Sequence, residues 1–364
     1  IYANIATVEA TGPYEVTFTL TGPDPLFLGS TIYQPSSPVV SKAAAEELGE
    51  VFLTEAVGTG PYELERFDPE SGVYLTRHEG YWGEPARTAR IEVLYIADTT
   101  ARTLALVAGE VDMIEAVRAP GWIQQIQGQD ASLLVDMTDP GSFNTLFINL
   151  NRAPFDDLRV RQALAMSIDR EALAGALAPM AKPSWSMSPP TYPTGWSHDD
   201  LPEELRYDYD PEAARALLAE AGHPDGISFE TSTSQREDYR SIMLILQEMM
   251  RPAGIDMQLN IMDHSAYQAM VREDANTLSL LSSSFPPVPL DYYTRYLDSV
   301  SDAKPNGNGS VNLSHYGVAM PGVDEALGRM RNASSIEEYV SIGREIELQV
   351  LRDLPVIELV TLGY

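Results

Sequence analysis

Residues 57–67 read VGTGPYELERF, two glycines around a threonine, then a proline and an alternating apolar and polar run. A phosphate cradle needs a strand, then glycines, then a helix whose N-terminal amides and dipole face the anion. Here Gly58 and Gly60 come before alternation, with Tyr62 and Leu64 on one side and Glu63 and Glu65 on the other, so a strand follows. The stretch reads as a strand entry with a tight glycine turn, and no nucleotide is implied.

The same logic extends in both directions. Upstream, residues 14–20 (YEVTFTL) alternate between Gly12-Pro13 and Gly22-Pro23, which predicts a strand between turns. A chain that enters within a sheet suggests a fragment or a processed product. Downstream, residues 72–83 (GVYLTRHEGYWG) and 90–98 (RIEVLYIAD) predict two further strands. Residues 99–109 (TTARTLALVAG) predict a helix behind a threonine cap with Gly109 at its stop, and 110–117 (EVDMIEAV) a return to a strand. The alternation of element types indicates a mixed α/β layer.

In residues 144–157 (NTLFINLNRAPFDD) an apolar strand runs into Pro154, and Asp156 and Asp157 are placed to cap a helix over 158–177. A domain boundary is expected near residue 150. Residues 179–202 (PMAKPSWSMSPPTYPTGWSHDDLP) hold six prolines and two tryptophans without a period, an irregular aromatic loop of the kind that is functional or mobile. Asp210, Pro211, Glu212 and Gly222 mark the ends of a helix over 210–222. A strand (226–234), a helix (237–255) and a strand (256–263) follow. Ser335 and Glu338 stand in capping-box spacing before a last helix, and 356–362 (VIELVTL) is a buried type of strand.

The chain has 364 residues, long enough for two domains with proper cores, and 44% of them are apolar. No apolar run approaches the length needed to span a bilayer, and the first residues show no signal-peptide pattern. With 24 Lys and Arg against 53 Asp and Glu the net charge is −29, spread over every segment. Such a field repels phosphate backbones and anionic lipid, so nucleic-acid binding is not expected. It suits a solvated acidic surface, or alternatively a cation-collecting one. The absence of cysteine removes disulfides, thiolate metal sites and thiol nucleophiles.

Chemistry-bearing constellations are few. His78, His198, His223, His264 and His315 lie far apart, with no partner at metal-ligand spacing, and His198-Asp199-Asp200 reads best as a polar loop tip. No Gly-x-Ser-x-Gly elbow is present. Trp185, Tyr192 and Trp196 in the proline-stiffened loop offer an apolar wall for a small ligand, or simply pack the loop onto its own lobe. In residues 278–293 (LSLLSSSFPPVPLDYY) a strand ends in serines and Phe285, and strand ends of this sort are where α/β folds place ligands.

Taken together, residues 57–115, LFINLNRAPFDDLRVRQALAMSIDRE, YDPEAARALLAEAGHPDG and RDLPVIEL resemble the extracytoplasmic solute-binding proteins of family 5, the peptide, nickel and opine group that serves ABC importers. The resemblance covers essentially the whole chain. It implies a two-lobed, periplasmic-binding-protein-like (type II) α/β fold with mixed sheets that closes around a solute, with the N-terminal part of the first lobe missing. The implied lobes are 1–150 (with 1–40 as the tail of a small extra subdomain), 151–345, and a return over 346–364 to the first lobe. It further implies export to the periplasm, a membrane permease as partner, a small-molecule solute, a monomer without membrane insertion, and no cofactor, metal or catalysis.

The chain departs from the family pattern in three ways. It starts after most of the first lobe and stops at the final strand. Where peptide-binding members have Gly-Trp and then an acid that pairs with the peptide amine, Phe285 stands here behind Ser283 and Ser284. The arginine that takes a dipeptide carboxylate in some relatives has no clean match, although Arg236 lies close by. A buried ammonium without a countercharge is costly, so the usual dipeptide mode is disfavoured and an opine-like, sugar-like or other polar solute is expected. The candidate ligand-binding residues are Phe285, Ser283, Ser284, Trp185, Trp196, Tyr192, Arg236 and Asn144. The competing reading is a hydrolase of a small polar substrate, with a carboxylate pair as acid and base.

Overall fold

Residues 2, 4–29, 32–33, 37–117, 119–303 and 311–363 are described by the computed structural model. By internal contacts the chain divides into a unit built on Phe27–Ile114 and a unit built on Tyr2–Leu26 with Glu115–Tyr364. This division differs from the boundary expected near residue 150.

In the first unit, α1 (Lys42–Leu48) starts at Ser41, whose hydroxyl accepts from the Ala44 amide. The strands β3 (Tyr62–Asp68), β4 (Gly72–Arg77) and β5 (Arg90–Leu94) form an antiparallel sheet in that order. Gly72 has a φ of +145° and a Cβ there would meet the Val93 carbonyl at 2.1 Å, so only glycine fits. The stretch at 57–67 is a strand entry, but neither glycine has a positive φ: Gly58 forms an isolated antiparallel bridge with Val40 and Gly60 sits in a bend, so there is no left-handed turn. The Trp82 indole donates to the Thr59 carbonyl at 3.1 Å and the His78 amide to the Pro61 carbonyl at 3.0 Å, so the turn at 78–83 pins the entry to β3.

The helix α2 (Thr99–Val107) is capped by Asp98, one residue earlier than the threonine cap expected; an Asp carboxylate accepts the Ala101 amide at 2.7 Å. Gly109 has the expected positive φ, +71°. The strand expected at 110–117 is not formed, and Met113 within it is exposed. Without a partner strand the apolar alternation has nothing to pair with, and propensity alone does not hold an extended segment. Ala105 is the one buried apolar side chain of this unit among the described residues.

The second unit opens with the antiparallel hairpin β1 (Ile5–Gly12) and β2 (Glu15–Leu20), turned at Gly12-Pro13. After α3 (Trp122–Gln129) comes β6 (Ser142–Ile148), every residue of which is buried. It is the second strand of an antiparallel sheet ordered β10-β6-β11-β7, with β7 (Ala181–Pro183), β10 (Leu278–Ser283) and β11 (Val356–Leu362). Strands from 142–148, 278–283 and 356–362 thus share one ladder.

The single helix expected over 158–177 is two, α4 (Leu158–Met166) and α5 (Arg170–Ala176), because Asp169 caps a new start by accepting the Ala172 amide. The helix α6 (Pro211–Glu220) has the expected Asp210 cap and Pro211 at its first position. The strands β8 (Ile227–Ser234) and β9 (Ile255–Met262) are parallel and joined by α7 (Glu237–Met250), a crossover of the length that parallel pairing requires. The helices α8 (His264–Arg272), α9 (Pro289–Leu297), α10 (Tyr316–Ala319), α11 (Val323–Arg331) and α12 (Ile336–Asp353) complete the unit. The core joins β6, β10 and β11 to the inner faces of α4, α7, α9 and α12, with Phe147, Leu164, Leu246, Tyr296 and Ile346 buried.

Candidate functional site

The end of β10 is the place where polar and aromatic groups converge. β10 pairs with β6 so that Ser282 faces Asn144 and Ser283 faces Phe143. The Ser282 amide donates to the Tyr239 hydroxyl oxygen at 3.1 Å, and the Ser282 hydroxyl to that of Ser142 at 3.1 Å. Beyond the strand Phe285 is half-buried, with its ring 6.1 Å from Phe143, 5.3 Å from Tyr292 and 5.6 Å from Tyr296. The Arg295 guanidinium lies 5.7 Å from the Phe285 ring centre. Tyr192 donates its hydroxyl to the Phe285 carbonyl at 2.5 Å, and its ring meets Phe143 edge-on.

Beside this cluster stands the C-terminal end of β8. Ser234 accepts the Arg236 amide at 3.0 Å and meets the His264 Nδ1 at 2.9 Å. Arg236 forks onto Asp238 through Nε and Nη2 at 3.2 and 2.9 Å, so its charge is already matched. The His264 ring stands edge-on to Tyr239. Burial, helped by the Arg236 charge, pulls the His264 imidazole below its usual range, which keeps it neutral at pH 7. No carboxylate hydrogen-bonds the other nitrogen of His264 among the described residues, so the Ser234–His264 pair lacks the orienting acid of a hydrolytic triad.

The segment 184–196 carries the other aromatic candidates, and most of it is packed. Ser184, Ser186, Met187, Ser188, Tyr192 and Thr194 are all buried. Its two tryptophans do not face Phe285: Trp185 and Trp196 pack with Leu201, Leu205 and Leu351 in a separate small cluster. The Trp185 ring lies 5.0 Å from His198, and the Arg344 guanidinium 5.0 Å from Trp196. His198 is held between Asp208 and Asp199 at 2.6 and 3.2 Å, as befits a polar loop tip.

The eight residues singled out in the sequence therefore do not surround one space. Phe285, Tyr192 and the serines at 283 and 284 share the end of β10, with Arg236 at the neighbouring strand end. Trp185 and Trp196 stand apart. Asn144 is fully buried, and its amide donates to the carbonyls of Ser142 and Val360, each at 3.2 Å. The β6–β11 register shifts between Glu358 and Val360, and Asn144 satisfies main-chain groups at that irregularity. Two surface cavities of the second unit, about 580 and 440 Å³, contain none of the eight.

Several members of the cluster were not read from the sequence. Tyr292, Tyr293 and Tyr296 follow helical spacing in PLDYYTRYL, a visible sign of an aromatic face on α9. On α12, Tyr339, Ile342, Gly343, Ile346, Val350 and Leu351 define a buried stripe, and Glu347 falls on it. A charged residue on the apolar stripe was the signal for it. Glu347 and Glu358 are buried acids, and burial pushes their carboxyls up to about 7 and about 8. No group of three or more acids or histidines is placed to hold a metal ion among the described residues.

Comparison with known proteins places the fold. A family model described as bacterial extracellular solute-binding proteins, family 5 middle, matches residues 2–304. The glutathione-binding protein GsiB of Escherichia coli (strain K12) is 30% identical over 269 residues, which is 72% of this chain and 50% of that protein. The chain spans about half the length of the curated relatives it matches. Among solved structures, MoaA of A. tumefaciens R10 in complex with mannopinic acid superposes with a TM-score of 0.81 at 26% identity, covering 100% of this chain and 72% of that one. NikZ of Campylobacter jejuni in complex with Ni(L-His) has the same fold, with a TM-score of 0.79 at 23% identity over 99% of this chain and 72% of that one. The fold is that of the type II periplasmic binding proteins, with mixed sheets.

Proposed function

Because the chain belongs to the bacterial extracellular solute-binding proteins of family 5, we propose that it captures a small polar solute and delivers it to the permease of an ABC importer. The observation that carries this reading is the cluster at the end of β10, where half-buried Phe285 stands beside Ser283, Ser284 and Tyr192, next to the Arg236–Asp238 pair. An aromatic face gives contact area at low entropy cost, and hydroxyls fix the orientation of a polar ligand. GsiB is a glutathione-binding protein and MoaA was solved with mannopinic acid, so peptide-like and opine-like solutes are the first classes to try, with sugar-like ones after them. The proposal includes lobes at 1–150, 151–345 and 346–364, closure by hinge motion, a monomeric state, and work outside the cytoplasmic membrane. No helix among the described residues is long and apolar enough to cross a membrane.

The test is a thermal-shift screen against glutathione, dipeptides, mannopinic acid, oligosaccharides and nickel–histidine, followed by calorimetry on any compound that shifts the melting temperature. Binding to the native state raises it by mass action. A saturable one-to-one isotherm with the compound recovered unchanged is expected. Conversion of the compound, or no response to any class, overturns the reading.

A further inference from the structure

Glu347 is fully buried on the inner face of α12. Its carboxylate receives the amide of Met187 at 2.9 Å, the amide of Ser188 at 2.8 Å, the hydroxyl of Ser188 at 2.5 Å, and the hydroxyl of Tyr293. The Ser188 hydroxyl in turn lies 2.6 Å from that of Tyr292 and 2.7 Å from that of Thr194. No lysine, arginine or histidine pairs with Glu347 among the described residues, and its charge helps to raise the buried acid Glu358 of β11. A buried carboxylate with no cation is costly to keep. What it holds in place is therefore informative.

It holds two supports of Phe285 at once. The first is the segment 186–194, which has little regular secondary structure and crosses α12 where Gly343 leaves room: a Cβ at 343 would stand 2.4 Å from the Thr194 methyl. That segment carries Tyr192, whose hydroxyl reaches the Phe285 carbonyl. The second is α9, gripped through Tyr293, whose neighbour Tyr292 places its ring 5.3 Å from Phe285.

We propose that Glu347 is a positioning residue for the Phe285 cluster, setting the segment 186–194 and α9 so that Tyr192 and Tyr292 together fix where Phe285 presents its ring. The functional consequence rests on the reading of that cluster as the solute site; the positioning itself does not. Three connections in series, Glu347 to Ser188 and Met187, the segment to Tyr192, and Tyr192 to Phe285, make the effect directional: breaking the first loosens everything after it, and breaking the last loosens only the end.

Hydrogen–deuterium exchange on the whole chain tests this order. Glu347→Ala is expected to raise exchange several-fold both in 184–192 and in 283–288 while β8 keeps its protection, and Tyr192→Phe to raise it in 283–288 alone. Glu347→Gln keeps an acceptor for Ser188 and Tyr293 and is expected to restore part of the protection. If Glu347→Ala does not fold, Glu347→Gln and Ser188→Ala are compared in its place. Loosening of 184–192 with 283–288 unchanged, or uniform loosening of the whole unit, overturns the proposal. The affinity for reduced glutathione, used as the probe on the same variants, reports on the site separately. Unchanged affinity alongside raised exchange at 283–288 keeps the positioning role and removes the cluster as the glutathione site. If the unaltered chain does not bind glutathione, exchange alone decides the positioning.

Discussion

The Tyr192 hydroxyl donates to the main-chain carbonyl of Phe285 at 2.5 Å, joining two positions 93 residues apart in sequence. Tyr192 is buried and its phenol is pushed up by burial, so it stays a proton donor across the physiological range. A proline-rich loop and a strand end are thereby made into one surface.

Removing that hydroxyl leaves the Phe285 carbonyl without this donor while the aromatic packing against Phe143 survives. Tyr192→Phe is expected to destabilise the chain by about 1 kcal/mol, the usual cost of one lost hydrogen bond, measured as a lower midpoint in urea denaturation at unchanged slope. A stability equal to that of the unaltered chain would show that water replaces the phenol at no cost.

Glu358 accepts the Thr145 hydroxyl at 2.7 Å inside the sheet, and burial holds its carboxyl at about 8, against 4.5 unfolded. A raised acid favours the protonated fold, so its contribution is full below pH 4.5 and is lost as the pH rises through about 8. A tenfold difference in proton affinity between the folded and unfolded chain is worth about 1.4 kcal/mol, so the loss over this range amounts to several kcal/mol, shared with the neighbouring acid Glu347. Glu358→Gln, which keeps an acceptor for Thr145, is expected to gain stability relative to the unaltered chain from pH 5 upward, with the gap levelling off above about pH 8. Parallel melting curves against pH for the two proteins would refute a raised Glu358 carboxyl.

Gly343 sits within α12, where alanine normally favours a helix by about 1 kcal/mol. The Thr194 methyl at 2.4 Å from an added Cβ reverses the sign. Gly343→Ala is expected to cost roughly 1–3 kcal/mol through overpacking, read from chemical denaturation. A stabilised variant would mean that the segment 186–194 can lift off the helix freely.

The first unit buries one apolar side chain among its described residues, Ala105, while Val93, Leu94 and Leu104 are exposed. With so little burial, its sheet is expected to open far below the global unfolding free energy. Amides of β4 should therefore exchange at least tenfold faster than those of β6 and β11, measured by native-state hydrogen exchange. Equal protection of the two sheets would show that the first unit is stabilised by something other than its own apolar burial.

Local rules sufficed wherever a segment's partners lie within it. The strand at 62–68 follows from alternation, α6 from Asp210, Pro211 and Gly222, and the last strand from its apolar run, because caps, turns and periodicity are written in neighbouring residues. The same rules failed at 110–117, where alternation found no partner strand, and at 158–177, where Asp169 offered a cap inside a continuous apolar pattern. The cluster around Phe285 was legible only as its own strand end. That Tyr192 joins it while Trp185 and Trp196 turn to Leu351, that Asn144 satisfies main-chain carbonyls at a register shift, and that Glu347 binds the loop to α9 were decided by tertiary structure. Each of these depends on hydrogen bonds and contacts between residues far apart in the chain, and residue type alone does not say which buried donor will meet which acceptor.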